Sequence, residues 1–314
     1  MRKYFPLVIL VATMLFGAEQ AVAAVLLDAN FDADTVDQLP SEADYFALVD
    51  DPLPPDPDRV LVAGPGGIHA DPFGPAGNQS VVLNNFDPAP EPFPNSQPQW
   101  GFAGIFPDDP AEFTEGTIEF DLFMERPTNP DTWWSYVNVR IGYGDENRTG
   151  FASTLGADTT INVSFRQQLG GGCGPPGVCS GLFDDGNGFA GASLVVQPDT
   201  ATHVEFNIIP PNPADAFPIG KFELRLDGTL VSWGGDPLQT QQPWLTSGFP
   251  PAGAPGINTL SFVASAALGL GSDNSTRVWI DNVKVTQVPE PASLLMVILG
   301  AGAFAIRPRR RMFA

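Results

Sequence analysis

Basic residues are scarce in this sequence. Lys and Arg together number 15 against 36 Asp and Glu, so the chain of 314 residues carries a net charge of −21 at pH 7. A protein that binds nucleic acid needs a cationic surface to neutralise phosphates, and this composition therefore excludes nucleic acid as a partner. Hydrophobic residues make up 43% of the chain and aromatic residues 11%, which is too much for a disordered acidic protein.

Cysteine and histidine are also rare, with two of each. Cys173 and Cys179 enclose a segment rich in Gly and Pro, and in an oxidising compartment we expect them to form a local disulfide. A metal or redox role for the pair is the alternative, although no His or further Cys lies nearby in the sequence. Nothing places a nucleophile beside His69 or His203, so no catalytic triad is indicated.

Long segments without Gly or Pro are missing from the middle of the chain. Gly and Pro number 33 each, a density that leaves little room for long helices and favours short strands joined by turns. Proline-rich segments at 51–57, 87–98 and 210–218 are expected to be surface loops. No internal repeat or long linker is visible, so we expect one large domain.

Apolar and polar residues alternate with period 2 along much of this domain, as in half-buried strands. Asp227-Gly228 is typical of a hairpin turn. The pattern predicts an all-β fold, a single antiparallel two-sheet jelly-roll sandwich over residues 25–287. The alternating segments are 118–124, 137–143, 161–165, 204–208 and 222–227, and shorter candidates are 60–63, 80–83, 101–106, 193–197 and 260–264.

The N-terminal residues differ from this domain. Arg2 and Lys3 precede an apolar run over residues 5–16, and Ala21-Val22-Ala23 provides a cleavage site of the small-x-small type. These features predict a secretory signal peptide over residues 1–24, and hence an exported protein. A short membrane anchor is the alternative, but the run is short for the ~30 Å of a bilayer core.

The C-terminal residues 288–314 combine three features in order. The tripeptide Pro289-Glu290-Pro291 is followed by an apolar run over residues 293–306 and then by a basic tail. The run is close to the lower limit for a membrane span, and basic residues after it are expected to stay cytoplasmic. We therefore expect a short hydrophobic helix that anchors the exported precursor in the inner membrane. The basic tail residues are Arg307, Arg309, Arg310 and Arg311.

This order of features resembles the PEP-CTERM sorting signal of Gram-negative bacteria. The resemblance implies that Pro289, Glu290 and Pro291 are the sorting motif, and that after secretion a membrane-embedded exosortase processes the protein near it. It also implies a location at the cell surface or in the exopolysaccharide matrix of a biofilm. An ordinary C-terminal membrane anchor is the alternative.

Four segments of the domain resemble the concanavalin A-like, or laminin G-like, jelly rolls of exported bacterial proteins. The resemblance spans residues 25–287 and implies that the first and last strands pair. It also implies a glycan ligand, in some members together with calcium. The four segments are 26–32, 116–121, 221–228 and 279–285.

Candidate calcium ligands lie near the two ends of this domain. Three are on or just after the first strand, and the fourth is on the last strand, where the alternation slips. A bulge at the slip could turn this fourth side chain so that oxygen ligands of two neighbouring strands converge on calcium. The alternative is a set of solvated surface residues. The candidates are Asp28, Asn30, Asp32 and Asp281.

Trp134, Tyr136 and Arg140 are the candidate carbohydrate-binding residues. Exposed aromatic rings suit the apolar faces of sugars, and an Arg side chain can hold hydroxyl groups. The alternative is that the aromatic side chains belong to the core between the sheets.

The segment from Glu119 to Glu125 bears on a catalytic role. Its pattern resembles the Glu-x-Asp motif of laminarinase-type glycoside hydrolases, but two carboxyls six residues apart on an extended strand are about 20 Å apart. A retaining mechanism needs about 5.5 Å. The sequence therefore favours a non-enzymatic protein of the cell surface or matrix, which either binds polysaccharide or is a passive acidic component of the matrix cross-linked by divalent ions or partner proteins. A laminarinase-like hydrolase acting on extracellular β-glucan is the alternative.

Overall fold

The computed structural model describes 13 segments of the chain, and these residues form 16 strands and no helix. The prediction of an all-β fold is therefore confirmed for this part of the chain. The described segments are 23–40, 45–49, 60–84, 98–102, 115–126, 134–142, 159–168, 182–184, 190–210, 220–233, 237–243, 259–266 and 277–288.

A nine-stranded sheet forms one layer, with the order β13-β12-β11-β6-β16-β4-β3; β1 also pairs with β16, and β14 with β12. The pairing of the first and last strands agrees with the implication of the jelly-roll resemblance. The strands are β1 (Ala24–Ala29), β3 (Val60–Ala63), β4 (Ser80–Asn84), β6 (Gly116–Met124), β11 (Thr202–Ile209), β12 (Lys221–Leu226), β13 (Thr229–Leu230), β14 (Gln241–Pro243) and β16 (Arg277–Gln287).

A seven-stranded sheet forms the other layer, with the order β2-β5-β15-β7-β8-β10-β9. The predicted sandwich was antiparallel throughout, but β10 runs parallel to β8. The reason is that β9 occupies the sheet edge and β10 returns from it to lie beside β8. The strands are β2 (Tyr45–Val49), β5 (Pro98–Phe102), β7 (Trp134–Gly142), β8 (Thr159–Gln168), β9 (Leu182–Asp184), β10 (Ala190–Val195) and β15 (Thr259–Ala266).

Aromatic side chains join the two sheets in the core. The ring of Phe120, on β6, lies 6.2 Å from that of Phe206 on the neighbouring strand of its own sheet. Across the sandwich it lies 5.0 Å from the ring of Phe262 and 6.5 Å from that of Phe165. Burial of such large apolar rings is the main force that holds two sheets face to face.

The segment from Gly64 to Gln79, which connects β3 to β4, forms a second, smaller apolar cluster on the outer face of the nine-stranded sheet. The ring of its Phe73 lies 6.3 Å from that of Phe123, which in turn lies 5.5 Å from Trp279. Leu61, Ala63 and Val82 complete the cluster. We call this segment the β3–β4 loop. Its packing buries part of a sheet face that would otherwise be solvated.

The chain divides into two compact units. One is the sandwich, Leu26–Val285, and the other consists of Met1–Val25 and Thr286–Ala314. Of the second unit the structure describes only residues 23–25 and 286–288. The predicted signal peptide and the predicted C-terminal helix thus lie outside the described residues, among which no helix is long and apolar enough to cross a membrane.

Candidate functional sites

Asp281 is completely buried beneath the β3–β4 loop. Its Oδ1 accepts a hydrogen bond from the backbone N–H of Asn282 at 2.7 Å, and its Oδ2 accepts one from Asn78 Nδ2 at 2.9 Å. Loss of solvation by burial raises the pKa of Asp281 from 3.8 to about 6, although both hydrogen bonds lower it. The side chain therefore holds the loop onto the sheet at an electrostatic cost.

The predicted bulge is present next to Asp281. Asn282 has a positive φ of 51°, which an Asn tolerates better than most residues. Arg277 Nη1 donates to Glu125 at 3.0 Å, whereas Asn282 Nδ2 donates to Asp121 at 2.8 Å. Ile280 and Val283, three residues apart on β16, both lie in the core, so the alternation of the strand slips by one residue between them, as a bulge requires.

The other three candidate calcium ligands do not join Asp281 in one site. Asp28 is exposed, and Asn30 Oδ1 accepts a hydrogen bond from the backbone N–H of Asp32 at 3.3 Å. Asp32 Oδ1 accepts one from the backbone N–H of Gln79 at 3.2 Å, so it too holds the β3–β4 loop. In the described part of the chain, no group of three or more His, Cys, Asp or Glu side chains is placed to hold a metal ion. Calcium binding stays a prediction that this arrangement does not fit.

A polar chain crosses three strands of the nine-stranded sheet. His203 Nδ1 on β11 lies 2.8 Å from Asp121 Oδ1 on β6, and Asn282 Nδ2 on β16 donates to the other oxygen of Asp121 at 2.8 Å. The sequence alone indicates no role for His203. Sequence reasoning missed its partner because the pairing depends on the register of two strands far apart in the chain.

The same register brings two carboxylates together. Glu205 on β11 lies directly opposite Glu119 on β6, and such cross-strand neighbours have Cβ atoms about 4.5–5.5 Å apart. Glu119 Oε1 accepts a hydrogen bond from Thr117 Oγ1 at 3.2 Å, and Glu205 Oε1 lies 3.8 Å from Arg225 Nε. The carboxyl partner of Glu119 is therefore not Glu125, which pairs with an Arg, but a residue of another strand.

The candidate carbohydrate residues lie on the outer face of the seven-stranded sheet. Alternate residues of β7 enter the core, namely Val137, Val139 and Ile141. Because side chains alternate along a strand, positions 134, 136, 138 and 140 belong to the opposite face. The side chains of Asn138 and Arg140 on this face are partly exposed. Positions 134 and 136 share this face by register, and the carbohydrate-binding role of Trp134 and Tyr136 stays a prediction.

Hydroxyl groups flank this row on both neighbouring strands. Ser164 on β8 lies opposite Asn138, and its hydroxyl donates to Asn138 Oδ1. On the other side, Ser261 of β15 lies opposite Arg140. Ser261 is completely buried, and its Oγ has no hydrogen-bond partner in the protein. The outer face of β7 and β8 is therefore polar and partly exposed at Asn138, Arg140 and Ser164, whereas Ser261 of β15 is out of reach of solvent.

Several predicted residues lie outside the described part of the chain. These are the proposed disulfide partners Cys173 and Cys179, the sorting motif Pro289, Glu290 and Pro291, and the basic tail residues Arg307, Arg309, Arg310 and Arg311.

No known protein family matches this sequence, and neither does any curated protein sequence. Solved structures do share its architecture. The marine alginate lyase from Aplysia kurodai matches with a TM-score of 0.46 and 7% identity, covering 84% of this chain and 100% of that one. An endo-1,3-beta-glucanase from Streptomyces sioyaensis matches with a TM-score of 0.44 and 10% identity, covering 85% and 97%. The winged bean acidic lectin matches with a TM-score of 0.42 and 11% identity, covering 84% and 99%.

These matches contradict the prediction that the protein is not an enzyme. That prediction came from the wide spacing of Glu119 and Glu125 on one strand, whereas two of the three proteins above are named as enzymes. At identities this low the likeness concerns the fold alone and assigns no activity to this chain.

Proposed function

We propose that this protein is an exported β-sandwich that binds an extracellular polysaccharide across the outer face of its seven-stranded sheet. The observation that carries the proposal is the register of β7, which gives positions 134, 136, 138 and 140 to one face, opposite the core. Two aromatic residues, an amide and a guanidinium in one row provide both stacking surfaces and hydrogen-bonding groups, which is what sugar rings require.

The neighbouring strand β8 supports this proposal. Ser164 lies opposite Asn138 and adds a hydroxyl group beside the row, and Arg166 and Gln168 lie opposite Tyr136 and Trp134 in the register. Polar residues along two adjacent strands suit an extended chain of sugars better than a small compact ligand.

Replacing Tyr136 with Ala is expected to weaken polysaccharide binding about tenfold, because the variant removes a stacking surface from the row. A glycan array first identifies polysaccharides that the wild-type protein binds, and titration of each purified protein with one of them then measures the affinity. Arg126→Gln is the control, since Arg126 lies after β6 and pairs with Asp199 at 3.2 Å. A wild-type protein that binds no polysaccharide, or equal binding by Tyr136→Ala, contradicts the proposal.

We also propose that the protein reaches its location through the C-terminal sorting signal, as an inner-membrane precursor processed by an exosortase. The support is the order of motif, apolar run and basic tail in the sequence. Intact-mass measurement of native protein is expected to show a chain that lacks the apolar run and the basic tail. Recovery of the full C-terminus on secreted material contradicts this expectation.

A second candidate function is hydrolysis of extracellular β-glucan. The specific observation in its favour is the cross-strand pair Glu119 and Glu205. A retaining glycoside hydrolase needs two carboxyls about 5–5.5 Å apart, a spacing that neighbouring strands can supply and that Glu119 and Glu125 cannot. The pair lies on the nine-stranded sheet, so this candidate and the binding proposal concern opposite faces of the sandwich.

A further inference from the structure

The β3–β4 loop is attached near both of its ends to the segment that follows β1. Near the first end, the backbone N–H of Ile68 donates to Asp37 Oδ1 at 2.8 Å. At the other end, the backbone N–H of Gln79 donates to Asp32 Oδ1 at 3.2 Å. We call residues 70–78, which lie between these two attachments, the lid.

The lid is cross-linked within itself. Asp71 Oδ2 accepts hydrogen bonds from the backbone N–H groups of Phe73 and Gly74, at 3.2 and 3.1 Å. The same oxygen accepts one from Asn78 Nδ2 at 3.0 Å, and the backbone N–H of Asn78 donates to Pro75 O at 3.1 Å. These bonds join residues of the lid to one another, so the segment can move as one body.

The ring of Phe73 and the amide of Asn78 join the lid to the outer face of the nine-stranded sheet. Phe73 lies edge-on to Phe123, with the ring centres 6.3 Å apart, and both side chains are partly exposed. Asn78 Nδ2 donates to Asp281 at 2.9 Å, and the same NH2 group also serves Asp71. Both contacts are made by side chains, so they can break without disturbing the backbone pairing of any strand.

Ser80, at the start of β4, is covered by the loop. It pairs with Ala63, which belongs to the outer apolar cluster together with Trp279, and Phe73 of the lid packs against this cluster. Val81, the next residue, belongs to the core between the sheets, because side chains alternate along a strand. Ser80 is completely buried although it does not face that core.

Polar atoms without partners lie at the interface of the lid and the sheet. Ser80 Oγ and Trp279 Nε1, on the sheet, are buried and have no hydrogen-bond partner in the protein. Asp71 Oδ1, on the lid, is buried without one as well. A buried polar atom without a partner costs free energy, and native proteins keep few of them. Water can supply the missing hydrogen bonds when the lid lifts, which favours the open form.

We propose that the lid lifts from the sheet as one body while the sandwich stays folded. Gly77 provides a hinge at the end of the lid, since it has a positive φ of 119° that residues with a side chain rarely adopt. Lifting uncovers the indole N–H of Trp279 and the hydroxyl of Ser80. The inference goes beyond the proposed function, because the lid lies on the other sheet from the polysaccharide-binding face.

Thiol labelling tests the lid, with Ser80→Cys and Val81→Cys as a matched pair. A thiol at position 80 becomes accessible when the lid lifts, whereas a thiol at position 81 becomes accessible only when the sandwich unfolds. Under native conditions Ser80→Cys is expected to react with a thiol reagent at least about 100-fold faster than Val81→Cys. Labelling of the wild type gives the background from Cys173 and Cys179, which is subtracted.

Urea separates local opening from unfolding. Lifting the lid exposes little surface, so labelling at position 80 is expected to change little with urea below the unfolding transition, whereas labelling at position 81 rises steeply. Equal rates at the two positions, with the same dependence on urea, would show that position 80 is reached only by unfolding and would overturn the lid.

Two further substitutions, each made in both labelling variants, locate the opening. Phe262→Leu weakens the core and is expected to speed labelling at position 81 about tenfold while leaving position 80 unchanged, because the core stays intact when the lid lifts. Phe73→Ala is expected to speed labelling at position 80 about tenfold, because it removes the ring that holds the lid. Equal acceleration of both positions by Phe262→Leu, or no effect of Phe73→Ala at position 80, overturns the proposal.

Discussion

Between about pH 4 and pH 7 the wild-type protein is expected to lose about 3 kcal/mol of unfolding free energy that an Asp281→Asn variant retains. The amount follows from the pKa of Asp281, which burial raises from 3.8 to about 6. One pKa unit corresponds to about 1.4 kcal/mol of difference between the charged and neutral forms.

The direction of this effect follows from proton binding. Because the carboxyl of Asp281 has the higher pKa in the folded state, the folded protein holds the proton more tightly than the unfolded chain. Its contribution to stability is complete below pH 3.8 and is lost as the pH rises through about 6. The negative charges of Asp71 and Asp121 act in the same direction as burial, since both raise the pKa of Asp281.

Chemical denaturation of both proteins at several pH values measures the effect. The informative quantity is how the difference between the two unfolding free energies changes with pH. The hydrogen bonds lost in Asp281→Asn shift its stability by a similar amount at each pH and do not affect this change. In Asn78→Ala the pH range over which this stability is lost should move to higher pH, since the hydrogen bond from Asn78 lowers the pKa of Asp281. Parallel curves for wild type and Asp281→Asn would show that this carboxyl does not titrate differently on folding.

If the carboxylate pair hydrolyses β-glucan, Glu119→Gln and Glu205→Gln are each expected to lower the release of reducing sugar from laminarin by at least about 100-fold. Glutamine keeps the shape of the side chain but can neither transfer a proton nor attack the sugar. The two variants together should lose little more than either alone, because residues that act as a unit are not additive.

Glu125→Gln is the control for this prediction, because Glu125 lies just after the end of the same strand and is held by Arg277 at 3.0 Å. Retained activity in Glu205→Gln would exclude the cross-strand pair as the catalytic groups. A wild-type protein that releases no reducing sugar would exclude hydrolysis of laminarin itself, and polysaccharide binding on the other sheet would remain to be judged by its own measurement.

The strands were predictable where one face is buried and the other is not. On β6 and β11 buried and partly exposed residues alternate along the whole strand, as the sequence pattern indicates. The turn at Asp227-Gly228 was predictable for a different reason, since both residues have positive φ, at 49° and 74°, as a tight hairpin requires. The short strands β2, β9 and β14 carry no such alternation, so the sequence pattern does not predict them.

The candidate sites were less predictable, because they depend on which strands become neighbours. Alternation on β7 predicts which of its faces meets the core, but it does not say which strands lie beside β7 on the other face. The pairing of Glu119 with Glu205 joins residues 86 positions apart, and only the register of β6 and β11 reveals it. The burial of Asp281 likewise comes from a loop more than 200 residues earlier in the chain, as its hydrogen bond to Asn78 shows.

The position of the last strand has a mechanical consequence. β16 is hydrogen-bonded to β6, β4 and β1, so the strand that leads toward the C-terminal tail is held on both edges inside its sheet. A pull on that tail along the strand loads these hydrogen bonds in shear, and they must yield together instead of opening one by one.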